Sequence, residues 1–253
     1  ESSYFYTIGF LGLLSFFLSL TSFIYMVYLK IFVGKSFIAT PLPVLFVFFA
    51  LAGLIFFSQD NNLRKASIEI FEACLADEDL ILLGWRDVPV DNTTIGIGAR
   101  DVEPFMKHVF VGTSRPMDSD KLERALFSAR KYATTRIKEA GFSDNESFYV
   151  CSLSSKTLVY KGQLMCDQLE SYFLDLKDRD METALALAHS RYSTNTFPSW
   201  SRAQPFRMLA HNGEINTVRG NKNWMHAREA HFETPLFKDV KKTLPVIKPG
   251  MSD

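Results

Sequence analysis

Two short polar segments carry the residues best suited to chemistry. The first, HSRYSTNTFPSW, runs from His189 to Trp200, and the second, AHNGEINTVRGNKNW, from Ala210 to Trp224. Each follows an apolar run, and loops that leave rigid elements are where binding groups are usually displayed. In the first, Arg191 offers a planar guanidinium fork suited to a carboxylate, and Ser193, Thr194 and Asn195 offer short-range hydrogen bonds. In the second, Asn212 offers an amide donor beside the unhindered backbone N–H of Gly213, a pair able to hold a developing oxyanion. Plain structural readings stand beside these. Arg191 serves equally as one half of an ion pair, Asn212-Gly213 as a hairpin turn, and His189 or His211 as a satisfied core histidine.

The elements that must position these segments follow from periodicity. Leu63–Leu75 places Ile68, Phe71 and Leu75 at helical spacing, and ILLGWRDVPV after it alternates like a strand. VDNTTIGIGAR reads as a loop and KHVFVGT, from Lys107, as a strand. DSDKLERALFSARKYATTRIKEAGF predicts a helix with Leu122, Leu126 and Ala129 on its apolar face and Gly141 as its stop. Its basic side, which also carries Asp118, Asp120 and Glu123, is expected to be solvated. SFYVCSLS and TLVYKGQL predict two strands joined in a hairpin through Ser154, Ser155 and Lys156. CDQLESYFLDL predicts a helix, DMETALALAH a strand entry, and RMLAHNGEI a strand with a polar exit. Strands in pairs with helices between them favour a layered α+β fold over a parallel βαβ sheet.

Composition splits the chain. Overall the formal net charge is zero, yet only Glu1, Lys30 and Lys35 among the charged residues precede Asp60. The uncharged run from Ser2 to Leu29 is long enough to cross a bilayer as a helix, at ~20 residues per span. A shorter run, Pro41–Ser58, suffices with slight extension. The expectation is a transmembrane helical hairpin over residues 1–59, with a lipid bilayer as partner through residues 5–58, joined to a separate domain over 60–253. The orientation charges balance, and Glu1 with Tyr4, Phe5 and Tyr6 does not suit a signal peptide. Cys74, Cys151 and Cys166 have no paired or metal-ligand spacing, so no metal is expected and all three read as small buried hydrophobes in a reducing compartment. No basic stripe points to nucleic acid.

GWRDVPVDN, FYVCSLSSKTLVYKG, LAHSRYSTNTFPSW, RMLAHNGEINTVRGN and NWMHAREA, in this order, resemble the N-terminal class II glutamine amidotransferase domain of glutamate synthase, from about Asn62 to the end. The resemblance implies an N-terminal-nucleophile αββα sandwich and hydrolysis of glutamine to glutamate and ammonia, the ammonia serving glutamate synthesis at a distant synthase site. It implies L-glutamine as partner, Arg191 as the clamp on the substrate α-carboxylate, Thr194 and Asn195 lining the pocket, and Asn212 and Gly213 as the oxyanion hole. His211 has no catalytic part in that pattern. FMN and an iron–sulfur cluster would belong to synthase domains outside this segment, which itself carries no cofactor. The family nucleophile is an N-terminal cysteine whose amine acts as base. Residue 1 is Glu1, so the expectation is a partial, inactive domain, lacking its leading strands and its far end and fused to a foreign hairpin. Residues from about Tyr4 to Gln59 resemble the C-terminal transmembrane pair of bacterial polyisoprenyl-phosphate glycosyltransferases. The implied location is the membrane, with the amidotransferase part in the cytoplasm. The alternatives are a membrane-anchored, glutamine-binding pseudoenzyme and a membrane protein with a passenger tail.

Overall fold

The computed structural model describes residues 50–142, 148–192, 197–207, 209–210 and 217–247, with backbone alone at 50–52. The chain divides into two units, Glu1–Phe46 and Val47–Asp253, and every described residue belongs to the second. Its centre is a four-stranded antiparallel sheet of β1 (Ala50–Phe57), β2 (Leu80–Asp87), β3 (Phe105–Thr113) and β4 (Phe148–Val150), in the spatial order β2-β3-β1-β4. Helix α1 (Asn61–Asp77) and helix α2 (Ser119–Glu139) cover one face. A third helix, α3 (Val218–Glu229), takes in the last residues of the second polar segment.

Strand β1 overturns the membrane reading of the run Pro41–Ser58. Its side chains alternate across the sheet: Ile55 and Phe57 enter the core under the helices, and Leu54 and Phe56 the core on the opposite face. A strand covered on both sides reads as an unbroken apolar run, which is what a membrane segment also looks like. It pairs with β3 from Ala50↔Val111 to Phe57↔Phe105 and with β4 from Ile55↔Val150 to Phe57↔Phe148. Among the described residues no helix is long and apolar enough to cross a membrane. The expected membrane location is thereby corrected. The first run and the start of the second, residues 1–49, lie outside the described residues. The expected join at Gln59 and Asp60 falls inside the second unit, between β1 and the cap of α1.

The two covering helices, α1 and α2, form where periodicity predicts them. Asp60 caps α1 by accepting from the N–H groups of Asn62 (2.7 Å) and Leu63 (3.0 Å), and Asp118 caps α2 through Lys121 N–H at 2.8 Å, satisfying donors that the first helical turn leaves open. Gly141, at φ +76, ends α2. Its N–H donates to Lys138 and that of Phe142 to Ile137, a Schellman closure that needs a left-handed residue. Leu122, Leu126 and Ala129 are buried as expected, with Ala133 and Ile137 extending the stripe. The basic side of α2 is not wholly solvated, because Arg130 and Lys131 are each only 8% exposed.

The opposite face departs from the predicted regular elements. TLVYKGQL forms no strand: the buried Ser152 hydroxyl accepts from the N–H of Leu54 (3.3 Å) and Val159 (3.2 Å), and Glu123 of α2 grips Ser154 and Ser155. Side-chain bonds take the place of a ladder there. CDQLESYFLDL breaks into two 3-10 turns around a helical turn, Leu169–Tyr172, as Phe173 turns extended to bridge Val90. Burying both Tyr172 and Phe173 dictates that break. DMETALALAH is no strand either, with Leu185 and Leu187 exposed. Of RMLAHNGEI, Arg207, Leu209 and Ala210 are described, and Leu209 forms an isolated bridge with Phe206. The described architecture is thus mixed α and β with one antiparallel sheet.

Candidate functional site

The end of the first polar segment and the connector after it, together Phe197–Arg207, are held in place by the irregular face of the sheet. Three anchors fix this stretch. Trp200 buries its ring against Phe56 and Tyr172 and donates Nε1–H to the Ala99 carbonyl at 3.0 Å. Tyr192, in the first segment, sets its hydroxyl between the carbonyls of Gly162 (3.3 Å) and Ser199 (3.1 Å), which share its one proton, and its burial raises the phenol pKa. Lys161 donates its ammonium to the carbonyls of Ser201 and Ala203, both at 2.8 Å. Gly162 is required by close packing: a Cβ there would lie 2.3 Å from the Trp200 ring.

Beyond Pro205 the chain turns back on itself. Phe206 and Leu209 exchange both backbone bonds, at 2.7 and 3.0 Å, around Arg207. Arg207 holds a left-handed φ of +58, uncommon for a residue with a side chain. Its guanidinium donates to the Val150 carbonyl at 2.8 Å and lies over the Tyr149 ring, with Nε buried and unbonded. Arg130 stands close enough that burial first, and then the Arg207 charge, pull its pKa down to about 9. Lys131 is lowered too, by burial first and then by the charges of Arg130 and Arg207, and donates to the Pro245 carbonyl at 2.7 Å. The region behind Tyr149 is therefore rich in positive charge.

Of the residues singled out from the sequence, Arg191 is exposed, and its backbone N–H donates to Nδ1 of the half-buried His189 at 3.2 Å. Thr194 and Asn195, with Ser193, and Asn212 and Gly213, with His211, lie outside the described residues. Arg191 is thus the one site residue whose place is described. Sequence reasoning did not single out Lys161, Trp200 or Arg207 as individual residues. The signal was present in Lys161, a charge inside the apolar run LVYKG.

A second polar cluster sits on the same face. Arg86 donates twice to the Asp175 carboxylate, at 2.8 and 2.5 Å, and the Tyr160 hydroxyl donates to it at 3.0 Å. Burial would raise the Asp175 pKa, but the Arg86 and Tyr160 bonds outweigh it and hold the group lowered. Beside it His108 is buried, and desolvation depresses its pKa to about 4, with Asp175 opposing and Arg86 adding. Its imidazole is therefore neutral at pH 7. The apolar surroundings of this cluster fit an internal brace joining β2, β3 and the 160–175 segment.

Among the described residues no three His, Cys, Asp or Glu side chains gather as a metal set. Of the three cysteines, Cys74 is buried under the helices, Cys151 is buried on the opposite face, and Cys166 is exposed, contrary to its expected burial. Burial raises both buried thiols, Cys151 to about 12. An iron–sulfur cluster is held by about four thiolates drawn together, and these three, spread over two faces and the surface, do not fit one.

An antiparallel sheet thus carries two helices on one face and short, irregular, polar-bonded stretches on the other. The family model for class II glutamine amidotransferases matches residues 49–253, and the chain belongs to that family. Among similar proteins are the large chain of glutamate synthase (NADPH) of Bacillus subtilis, 45% identical over 203 residues, covering 79% of this chain and 13% of that protein, and glutamate synthase (NADH) of Schizosaccharomyces pombe, 43% identical over 209 residues, covering 79% and 10%. The chloroplastic ferredoxin-dependent glutamate synthase of Oryza sativa is 40% identical over 202 residues, covering 79% and 12%. The chain thus spans a small fraction of the length of these relatives. The match begins at 49, one residue before β1, which agrees with β1 belonging to the amidotransferase sheet. The resemblance of the first residues to a glycosyltransferase membrane pair finds no support.

Proposed function

We propose that this domain is the glutaminase part of a glutamate synthase, binding L-glutamine for hydrolysis to glutamate and ammonia. The observation that supports this most strongly is the family match over 49–253, together with the three relatives named above, each a glutamate synthase. In this reading Arg191 forks onto the substrate α-carboxylate, Thr194 and Asn195 line the pocket, and Asn212 with the Gly213 N–H hold the oxyanion as the amide carbon becomes tetrahedral. The complete fold in this reading is the αββα sandwich, of which the described sheet and its two helices form one half. Ammonia transfer to a synthase site, and any FMN or iron–sulfur chemistry there, belong to segments outside this sequence, and no residue here is assigned to a cofactor.

The thiol that attacks the amide is not among the three cysteines within this chain. Cys74 and Cys151 are sealed in apolar cores with raised pKa values, where the thiolate is disfavoured. Cys166 sits exposed in a 3-10 turn, Cys166–Gln168, inside the chain, where it has no α-amino group to act as its base. The 253-residue polypeptide is therefore proposed to bind glutamine without turning it over. Residues before the family match are proposed to have a separate origin, which sequencing an independent clone across the codons for Thr40 to Asp60 would check.

The test is thermal. Glutamine that binds only the folded state should raise Tm with dose, by an amount equivalent to about 2.7 kcal/mol at a hundredfold excess over Kd. Arg191→Ala should abolish the rise, and ammonia release should stay at background. A melting temperature unmoved by millimolar glutamine would remove the reading, as would hydrolysis by this polypeptide remove the proposed inactivity.

A further inference from the structure

Lys161 is only 2% exposed, and it takes part in none of the ion pairs among the described residues. An ammonium taken out of water without a carboxylate is costly unless each of its three donors finds an acceptor. Here they do: the Tyr149 hydroxyl at 3.2 Å, the Ser201 carbonyl at 2.8 Å and the Ala203 carbonyl at 2.8 Å. The ring faces of Tyr149 and Phe206, 4.4 and 4.9 Å from the nitrogen, add cation–π attraction. The next residue, Gly162, receives the Tyr192 hydroxyl on its carbonyl and the Trp200 ring against its Cα. Two consecutive residues thus fasten the chain at Tyr192, Trp200, Ser201 and Ala203, that is, at both ends of the stretch containing 193–196 and on the approach to Arg207.

We propose that Lys161 is a positioning residue for the glutamine site: its buried ammonium locks the connector between the two polar segments, so that Arg191 is carried at a fixed place without Lys161 touching substrate. The proposal rests on the glutamine-binding reading. Lysine suits the task because a single flexible stem delivers three donors to acceptors from two different chain segments. A neutral side chain of the same volume would leave the Ser201 and Ala203 carbonyls, on buried residues, without donors. The connector would then leave the sheet to find water.

The experiment compares the full chain with Lys161→Met and Lys161→Ala, reading hydrogen exchange at the Arg202 and Ala203 amides without ligand and glutamine affinity by calorimetry. Both amides bond the Ser199 carbonyl, at 3.2 and 3.1 Å, so they report the connector directly. Lys161→Met should keep the circular dichroism of the sheet and helices, lose protection at those amides by about tenfold, and weaken glutamine binding by about tenfold. Added n-butylammonium should restore both readouts in Lys161→Ala, whereas butanol should not. Wild-type protection and affinity in Lys161→Met, or rescue by butanol as good as by the amine, would overturn the proposal. Should Lys161→Met fail to fold, Tyr149→Phe decides: it removes one acceptor, keeps the ring, and should weaken both readouts about threefold, no change counting against the clamp. A wild-type chain that ignores glutamine would sink the glutamine reading alone, and the exchange data would still judge the clamp.

Discussion

The two faces of the sheet are built by different means. Under α1 and α2 a large apolar core dominates: Phe71 meets Trp85 and Phe148, Leu126 and Ala129 share one core with Val109 and Val111, and repeating helix geometry delivers each side chain to it. On the other face the covering segments are short turns and extended stretches, and they are held by named polar bonds: Arg86 and Tyr160 to Asp175, Ser152 between Leu54 and Val159, Lys161 to Ser201 and Ala203. The helical face stores stability through buried area. The irregular face spends part of that stability to hold loops at defined places, which is what a site requires.

The comparison breaks most decisively at Phe71. Truncating it to alanine opens a cavity in the helical core, where Phe→Ala changes cost about 3–5 kcal/mol. Urea unfolding should show that loss, and a cost under about 1 kcal/mol would mean that the helices are not the store of stability. The next effect belongs to the irregular face and is a function of pH. His108 is held neutral, with a folded pKa of about 4 against the ordinary value of 6.5. Between those values the unfolded chain binds a proton that the folded chain refuses, so stability is fully present above about pH 6.5 and falls as pH drops towards 4, by about 3 kcal/mol in all. Unfolding at pH 7.5 and pH 4.5 should show the difference, and His108→Leu should flatten it. An equal slope in the variant would assign the acid sensitivity elsewhere.

The same contrast explains what could be read from the sequence. Both long helices were legible because Phe71 and Leu75, or Leu122, Leu126 and Ala129, recur at helical spacing between local caps. β3 was legible as the short β-branched and aromatic run KHVFVGT after a loop. β1 was misread because a central strand buried on both faces loses the alternation that marks a strand, and LIFF beside other apolar residues then resembles lipid-facing helix. The irregular face was legible least. Nothing local in TLVYKGQL says that Lys161 will be satisfied by carbonyls some forty residues away, and nothing in CDQLESYFLDL says that Tyr172 and Phe173 must both be buried. For the site, Arg191 was legible as a chemical type, but its anchoring through Tyr192 to Gly162 depends on tertiary contact alone.

A smaller effect probes the fit at the connector. Gly162→Ala would place a Cβ 2.3 Å from the Trp200 ring, and overpacking of this kind costs about 1–3 kcal/mol. Because Trp200 belongs to the irregular face, the change should redden and weaken its fluorescence while leaving far-ultraviolet dichroism as it was. An unaltered emission spectrum would show that Trp200 has room to move and is no anchor.

The smallest effect in energy is the sharpest in discrimination, because one cysteine lies in each core and the third on the surface. Cys74 and Cys151 are buried on opposite faces, and their thiols are raised by desolvation, Cys151 to about 12. At pH 8 a thiol of that pKa is ionised to only about one part in ten thousand, and the thiolate is the reactive form. A disulfide reagent should therefore titrate Cys166 alone in the native chain and all three thiols in denaturant, and Cys166→Ser should remove the fast reaction while changing stability by less than about 0.5 kcal/mol. The informative outcome is the order of the slow pair. If the polar bonds close the irregular face as tightly as helix packing closes the other, Cys151 should resist at least as long as Cys74, since both then wait for global unfolding. Faster modification of Cys151 would mean that the segments carrying Lys161 and Trp200 open on their own, and that the irregular face trades closure for access to the site.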